Sequence, residues 1–300
     1  MDNIKKIFEK FVELLKDFQK DLFPFFQELG LHILHNHFYS PIPDTRFIKN
    51  QKIYNYKIFG FDEKENLKFF NYLHKKYEKE WSLLINEFNI ENGTFEGLDA
   101  FICYSIIKEF KPKKIIEIGS GNTTKLFLIA GNKKINLTCI DPYYQEITGV
   151  NYFIKDRVEN IDIDFFKKLD SNDILFIDSS HTVKSQNDVL FLIFEVFPVL
   201  KKGVIIHFHD IFLPLDYPIS WIKEELRFWN EQYIVGAFLM ENKNYKILIS
   251  NSLLGFKYPE IIKEKLPLPE RLKFKYENIY RKMFNNVKWF GGGSLWLKKL

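Results

Sequence analysis

The sequence predicts an α/β protein with a doubly wound, mostly parallel sheet and an N-terminal helical extension. Short apolar strands alternate with helices from about residue 94 onwards. Each of these strands is continuously apolar, which is typical of parallel strands that are covered on both faces. A glycine-rich turn directly follows the first strand, where open α/β sheets bind their ligands.

Residues 1–93 are predicted to form the helical extension, and residues 94–300 the core domain. The first apolar residues recur at steps of three and four, which indicates an amphipathic helix that packs on the domain or on a partner. They are Ile4, Ile7, Phe8, Phe11, Leu14, Leu15, Phe18 and Leu22. The pattern breaks at Pro24 and again at S-P-I-P-D, residues 40–44, and a charged helical pattern returns over residues 62–90.

Over residues 94–300, predicted strands alternate with predicted helices. The predicted strands are 114–118, 136–141, 151–155, 173–178, 203–211, 245–250 and 294–299. The predicted helices are 98–110, 123–130, 162–169, 187–200, 229–240 and 276–284. The strands are bounded by glycine, asparagine and aspartate, and the first helix ends at Lys111-Pro112.

Composition narrows the classes of function. The net charge is +4, and lysines alternate with glutamates, so we expect no nucleic-acid surface. The N-terminus lacks an apolar signal-peptide core, and no apolar stretch reaches membrane-spanning length, so we expect a cytoplasmic protein without stable membrane insertion. Cys103 and Cys139 are predicted to be buried thiols.

The turn after the first strand predicts a nucleoside site. The strand delivers E-I-G-S-G-N, residues 117–122, in which Gly119 and Gly121 allow a close backbone approach. Asp141 ends the next strand, where an acid can hydrogen-bond ribose hydroxyls. A dinucleotide fingerprint would have a third small residue where Thr124 stands. Glu117 suits a cationic ligand better than a pyrophosphate, so S-adenosylmethionine is favoured over NAD.

These motifs carry a family resemblance. P-K-K-I-I-E-I-G-S-G-N-T-T, C-I-D-P-Y, D-I-L-F-I-D-S-S-H, H-F-H-D-I-F-L-P-L-D-Y-P, W-N-E-Q-Y and G-G-G-S-L-W-L stand in this order. From about Phe95 the chain resembles class I S-adenosylmethionine-dependent methyltransferases of the bacterial family 24. The H-F-Y-S-P-I-P-D segment resembles the N-terminal part of the same group.

The resemblance implies a Rossmann-like sheet of seven strands, the last antiparallel. It implies a cofactor over Gly119, Ser120, Gly121 and Asn122, ribose at Asp141, and adenine near Val158, Glu159 and Asn160. Relatives commonly carry Gln-Asp at the last two positions, so the partner of the adenine amino group stays open.

Polar side chains end the fourth and fifth strands. Asp178 and His181 follow one strand, and His209 and Asp210 follow the other. Because both strands open on the cofactor edge, these side chains should meet beside the methyl group, with Asp178 also contacting the cofactor. Methyl transfer requires an aligned and often deprotonated acceptor, and His209 or His181 is the expected base, with Asp210 beside it. His207 lies deeper and is expected to be a hydrogen-bonded core residue.

A divalent metal is the alternative for this cluster. Catechol-type methyltransferases hold magnesium with an Asp after the fourth strand and an Asp-Asn pair after the fifth. The matching positions are Asp178, His209 and Asp210. A histidine in this set suits manganese, iron or zinc better than magnesium.

The acceptor is expected to be a small polar molecule, such as a sugar or saccharide derivative, methylated on oxygen. Tyr39, Asp44 and Tyr217 are the candidate acceptor contacts, whereas Trp229 and Trp289 are expected to be core or edge aromatics. Two rivals stay open, a non-catalytic nucleoside-binding or scaffolding protein on the same fold and an NAD-dependent oxidoreductase. A homo-oligomer is compatible with the sequence.

Overall fold

The computed structural model describes residues 2–34, 36–84, 87–132, 134–143, 147–285 and 287–300. The chain divides into two compact units, residues 1–49 and residues 50–300. Within the described residues, no helix combines the length and the apolar character needed to cross a membrane.

The first unit contains two helices, α1 (Asp2–Asp17) and α2 (Gln19–Glu28). The sequence predicted a break at Pro24, but α2 continues through it to Glu28. A proline removes one helical hydrogen bond without necessarily ending the helix. After α2, Asp44 accepts hydrogen bonds from Asn36 and Arg46, and its carboxylate caps the 3₁₀ turn Thr45–Phe47.

The second unit is built on a seven-stranded sheet. Its strands are β1 (Lys114–Ile118), β2 (Asn136–Ile140), β3 (Tyr152–Ile154), β4 (Ile174–Ile177), β5 (Ile205–Phe208), β6 (Tyr245–Ser250) and β7 (Leu295–Lys299). Their order is β3-β2-β1-β4-β5-β7-β6. The first five strands are parallel, and β7 runs antiparallel to both of its neighbours. The predicted fold class, including the reversed last strand, is confirmed.

Helices cover both faces of this sheet. The longer ones are α3 (Glu63–Leu84), α4 (Gly97–Phe110), α5 (Asn122–Ala130), α9 (Glu231–Leu239) and α12 (Glu270–Met283). The shorter ones are α6 (Asp188–Phe191), α7 (Phe197–Val199), α8 (Ile219–Lys223), α10 (Asn251–Lys257) and α11 (Pro259–Lys265). A π-helical turn, Leu192–Val196, joins α6 to α7, so residues 188–199 form one helical segment as predicted.

The core unit begins earlier than the sequence predicted. The boundary was expected after residue 93, whereas contacts place residues 50–93 in the same unit as the sheet. Helix α3 packs on α4 and on β6. Upstream of α3, Ile53 forms a bridge with Leu215, and Gln51 donates to the carbonyl of Asp216. The charged surface of α3 resembles an exposed helix in sequence, but its buried stripe includes Phe70, Leu73 and Trp81.

The parallel ladder sets the position of the site. Backbone hydrogen bonds run one residue past the strands, from Gly119 to Ile140, from Asp141 to Ile154, from Asp178 to Ile118 and from His209 to Ile177. Asp141, Gly119, Asp178 and His209 therefore stand side by side at the carboxyl edge of four neighbouring strands. Ligand sites of open parallel sheets lie at this edge.

Phe176 is the aromatic centre of one face of the core. Its ring lies 4.9 Å from Phe127, 5.7 Å from Phe95 and 3.8 Å from the imidazole of His207, measured between centroids. The side chain is fully buried. Loss of a buried aromatic ring removes its apolar contacts and leaves a cavity.

Phe176→Ala is expected to lower the free energy of unfolding by about 3–5 kcal/mol. Phe274→Ala removes the same atoms from α12, where the ring is 67% exposed. This substitution is expected to change the free energy of unfolding by less than about 0.5 kcal/mol. Urea unfolding followed by circular dichroism compares the two variants. Equal losses for both would contradict the placement of Phe176 in the core.

Candidate functional site

The first cavity at the sheet edge has a volume of 420 Å³. Gly119 and Ser120 after β1, Asp141 after β2, and Asp178 after β4 line it. Its charged lining residues are Asp141, Glu159, Asp178 and Asp188 against Arg157 and Lys184. An excess of carboxylates suits a cationic ligand with hydroxyls and suits a pyrophosphate poorly.

Asp141 is held in place at the rim of this cavity. Its Oδ2 accepts a hydrogen bond from Ser120 Oγ at 2.7 Å, and its Oδ1 accepts one from the backbone N–H of Tyr143 at 2.8 Å. Each carboxylate oxygen has a further lone pair, so the group can still accept from ligand hydroxyls.

Gly119 is required by a close backbone approach. Its φ is +96°, and a Cβ placed there would lie 2.7 Å from the carbonyl oxygen of Asp178. A side chain would therefore collide with the neighbouring strand end, as well as straining the backbone. Gly121 precedes α5, and Asn122 donates from its Nδ2 to Thr94 Oγ1 at 2.9 Å.

Glu117 lies behind the turn and does not line the cavity. Its carboxylate is fully buried and accepts hydrogen bonds from Thr123 Oγ1, Thr124 Oγ1 and Cys139 Sγ. Burial raises the pKa of Glu117 to about 7, against the opposing effect of these donors. The structure thus places Glu117 as a tie between β1 and the first turn of α5, while cofactor contact by Glu117 stays a prediction.

A second cavity of 570 Å³ adjoins the first, and Asp178 lines both. His181, His209 and Asp210 also line the second cavity, so the structure brings together the four side chains predicted at the ends of β4 and β5. His181 and Asp210 have φ values of +56° and +55°, a left-handed conformation that side chains other than glycine rarely adopt.

His181 is fixed between carboxylates. Its Nδ1 lies 2.9 Å from Glu231 Oε2, its Nε2 lies 3.2 Å from Asp178 Oδ1, and Asp210 Oδ2 is 3.8 Å from the same Nε2. Burial alone would lower the pKa of His181, but Asp178 and Glu231 raise it well above its ordinary value. The carboxylates thus favour the imidazolium form, in which both N–H groups would be directed at them.

His209 is buried but makes fewer polar contacts. Within the described residues its Nδ1 has no hydrogen-bond partner, and its Nε2 lies 3.6 Å from Asp210 Oδ1, which exceeds hydrogen-bond distance. Against burial, Asp210 and Asp178 raise the pKa of His209. Burial raises the pKa of Asp210, an effect that the two histidines oppose. Unsatisfied buried polar atoms are rare in proteins and often mark functional sites.

His207 is a core residue, as predicted. It is fully buried, its Nε2 lies 2.9 Å from Ser294 Oγ, and burial lowers its pKa well below the ordinary value.

A glycine run holds the far side of the second cavity. Asp99 accepts hydrogen bonds from Asn251 Nδ2 and from the backbone N–H groups of Gly293 and Ser294. A Cβ on Gly292 would lie 2.2 Å from Asp99 Oδ1, so no other residue fits there without a shift. The G-G-G run thereby reaches the end of β5, where Gly293 accepts from the N–H of Ile211.

The predicted metal ligands Asp178, His209 and Asp210 lie together, but they do not form a coordination site. In the described part of the chain, no group of three or more His, Cys, Asp or Glu side chains is arranged to hold a metal ion.

Of the predicted acceptor contacts, Tyr217 is not among the residues that line the second cavity. Tyr217 is 1% exposed and packs behind Trp229, with its hydroxyl accepting from the N–H of Gln232, so it supports the wall from inside. Tyr39 and Asp44 belong to the first unit, where Tyr39 is exposed and the carboxylate of Asp44 is engaged by Arg46. Acceptor binding by Tyr39 and Asp44 stays a prediction.

Two features of the site were not found from the sequence. Glu231 orients His181 across 50 residues of chain, and Trp229 lines the second cavity with its ring 4.3 Å from that of His181. Trp289, also expected in the core or at an edge, lines the same cavity. Glu231 and Trp229 both belong to the W-N-E-Q-Y motif, but only the fold shows that they lie beside His181.

Comparison with known proteins agrees with this geometry. Residues 116–211 match the family 24 model described as "Methyltransferase domain". An uncharacterized protein of Archaeoglobus fulgidus is 28% identical over 171 residues, covering 49% of this chain and 77% of that protein.

Two solved structures are also similar in part. One is the SAH-bound Podospora anserina methyltransferase PaMTH1, with 17% identity, a TM-score of 0.36, and coverage of 50% of this chain and 71% of that chain. The other is a cyclopropane-fatty-acyl-phospholipid synthase-like protein from Lactobacillus casei, with 12% identity, a TM-score of 0.31, and coverage of 68% and 95%. At such TM-scores these likenesses carry no weight.

Residues 116–211 match a methyltransferase domain, and the strand order and the glycine turn agree with a class I S-adenosylmethionine-dependent methyltransferase. The predicted relation to methyltransferase family 24 is confirmed over residues 116–211.

Glu117→Gln is expected to remove a pH dependence of stability. The pKa of Glu117 is about 7 in the folded protein, compared with an ordinary value of 4.5. Its contribution is therefore complete below pH 4.5 and is lost as pH rises to about 7, by about 3 kcal/mol. Urea unfolding between pH 4.5 and 8, without ligand, measures the difference from the unaltered protein. Glu195→Gln, an exposed substitution of the same type, should leave the curve unchanged.

If Glu117→Gln followed the same pH curve as the unaltered protein, Glu117 would have an ordinary pKa and the account of its burial would be incorrect.

Proposed function

We propose that this methyltransferase methylates a hydroxyl oxygen of a small polar acceptor, such as a sugar or saccharide derivative, bound in the second cavity. One observation carries the proposal, namely that Asp178 lines both cavities. A cofactor in the first cavity would thus lie next to an acceptor in the second. Methyl transfer is an in-line displacement, which needs the two molecules to be adjacent and aligned.

The residues of the first cavity suit S-adenosylmethionine, which supplies an electrophilic methyl group on a sulfonium. Asp141 would accept hydrogen bonds from the ribose hydroxyls. Glu159 would lie near the adenine end, and Asp178 would attract the positive charge. Gly119 and Ser120 would pass beneath the ligand without side-chain obstruction.

The residues of the second cavity favour an oxygen nucleophile. A hydroxyl must lose its proton during transfer, and an imidazole beside carboxylates can accept that proton. Asp210 and Asp178 would then stabilise the imidazolium that forms.

His209 is the better candidate for this base. Both nitrogens of His181 face carboxylates within 3.2 Å, so His181 has no free acceptor site. His209 has an unpaired Nδ1, and its Nε2 is outside hydrogen-bond distance of Asp210. We assign His181 instead to holding Asp178 and Asp210 in position.

Asp141→Ala is expected to weaken S-adenosylmethionine binding roughly 10- to 100-fold, because hydrogen bonds to a carboxylate are lost. Isothermal titration calorimetry measures the affinity. Asp164→Ala, an exposed aspartate paired with Lys167 outside the cavity, should bind like the unaltered protein. Equal affinities for all three proteins would remove Asp141 from the site.

His209→Ala is expected to slow methyl transfer by about 10²- to 10⁴-fold while cofactor affinity stays within about threefold. Transfer is followed with methyl-labelled S-adenosylmethionine and a pool of hydroxylated small molecules. Because the raised pKa of His209 keeps it protonated at low pH, the unaltered enzyme should gain activity as pH rises above 6.5. His74→Gln, a histidine outside both cavities, serves as the matched control.

Normal transfer by His209→Ala would remove His209 from the mechanism. Labelled product on nitrogen or carbon alone would overturn the assignment of oxygen.

A further inference from the structure

The second cavity has opposite charges at its two ends. At the buried end lie Asp99 and the two histidines, which are buried, and Asp210, whose side chain is 15% exposed. At the exposed end lie two cations, Arg227 with 40% and Lys275 with 50% of the side chain exposed. A bound molecule therefore meets carboxylates and histidines inside and two cations outside, and Glu96, a partly exposed carboxylate, also lines the cavity.

An aromatic belt of five neighbouring rings lines the wall of this cavity. Trp229, Trp221, Phe212, Trp289 and Tyr280 follow one another with centroid separations of 5.3, 5.2, 6.2 and 4.7 Å, and all of them line the cavity. Flat aromatic surfaces bind other ring compounds, through ring stacking or through contact with C–H groups.

Arg227 is held in place by contacts with two tryptophans. Its guanidinium lies 4.7 Å from the ring of Trp221 and 5.2 Å from that of Trp229, and its backbone N–H donates to the carbonyl of Trp221. These contacts fix the group without consuming its side-chain N–H donors. Its ion pair with Glu225, 2.7 Å, is exposed on both sides and therefore weak.

Lys275 on α12 can also change partner at low cost. Its Nζ is 3.3 Å from Glu91 Oε1, but the other oxygen of Glu91 is 2.8 Å from Arg271 Nη1. Glu91 thus keeps a cationic partner if Lys275 turns to a ligand.

We infer that the acceptor is a ring compound with an anionic substituent, a carboxylate or a phosphate, that Arg227 and Lys275 bind. This inference rests on the proposed function and adds the acceptor's charge and direction of binding. The anionic group lies at the exposed end, because Asp99, Asp178 and Asp210 repel it from the buried end. The ring contacts the aromatic belt, and its hydroxyl reaches His209.

The test uses pairs of ring hydroxyl compounds that differ in one anionic group. Suitable pairs are methyl glucoside with its uronic acid, catechol with 3,4-dihydroxybenzoate, and glucose with glucose 6-phosphate. Calorimetry with saturating S-adenosylhomocysteine measures binding of each compound to the full chain, and labelled S-adenosylmethionine measures transfer.

At least one acid is expected to bind about tenfold more tightly than its neutral partner, which corresponds to about 1.4 kcal/mol. The carboxylate and phosphate pairs show which anion is preferred. Arg227→Gln should abolish most of the difference in affinity between the acid and its neutral partner. Lys275→Gln should reduce this difference, and Arg227→Lys should retain part of it. Arg281→Gln, on the same helix as Lys275 but outside this cavity, should retain all of it.

Three results would overturn the inference. They are equal affinity for the acid and neutral members of every pair, binding of no acid at millimolar concentration, and a preference that persists in both Arg227→Gln and Lys275→Gln. Transfer to neutral hydroxyl compounds alone would refute the anionic acceptor and leave the proposed function standing. Failure of the unaltered protein to bind S-adenosylhomocysteine would instead refute the cofactor site on which both proposals depend.

Discussion

The parallel register of β1, β2, β4 and β5 is the constraint on which the site depends. In a parallel ladder, residues paired across strands end at the same edge of the sheet. Ile118, Ile140, Ile177 and Phe208 end their strands in one line, so the next residue of each strand reaches the same rim. Residues far apart in the chain are thereby brought to neighbouring positions, and their spacing is set by the backbone.

The charges at that rim stabilise one another. Glu231 is buried, Asp210 is 15% exposed and Asp178 is 37% exposed, and His181 lies within 3.8 Å of all three carboxylates. Their shared cationic partner lowers the cost of removing them from water. Breaking one contact of such a cluster leaves another charge unpaired. The carbonyl of His181 also accepts from the N–H groups of Asn230 and Glu231, so the backbone and the side chain of this residue are both tied to the start of α9.

Much of the fold was predictable because its signals are local. Continuously apolar strands, the glycine turn and the acids at strand ends are properties of a few adjacent residues, and the ladder then determines where Asp141, Asp178 and His209 meet. Glu231 and Tyr217 were not predictable in this way. Their roles depend on the position of the start of α9 beside His181 and Tyr217. No pattern within W-N-E-Q-Y distinguishes a carboxylate that orients a histidine from one exposed to solvent.

The unit boundary and the predicted metal ligands also depend on tertiary packing that local sequence patterns do not predict. The buried stripe of α3 gives no sign of whether it packs on the sheet or on a separate domain, and only its contacts with α4 and β6 decide the matter. For Asp178, His209 and Asp210, sequence order correctly predicts proximity. Sequence order does not predict side-chain direction. In the structure His209 Nδ1 has no hydrogen-bond partner among the described residues, whereas His181 contacts the carboxylates.

The backbone strain at His181 and Asp210 follows from the same arrangement. A left-handed residue other than glycine costs roughly 1–2 kcal/mol, and two of them stand at the ends of adjacent strands. The His181 carbonyl bonds and the hydrogen bond from Ile211 N–H to the Gly293 carbonyl, 2.7 Å, offset that cost. The turned backbone accompanies an arrangement in which His181 lies 3.2 Å from Asp178 and 3.8 Å from Asp210. Because Asp178 lines both cavities, these contacts lie at the boundary between them.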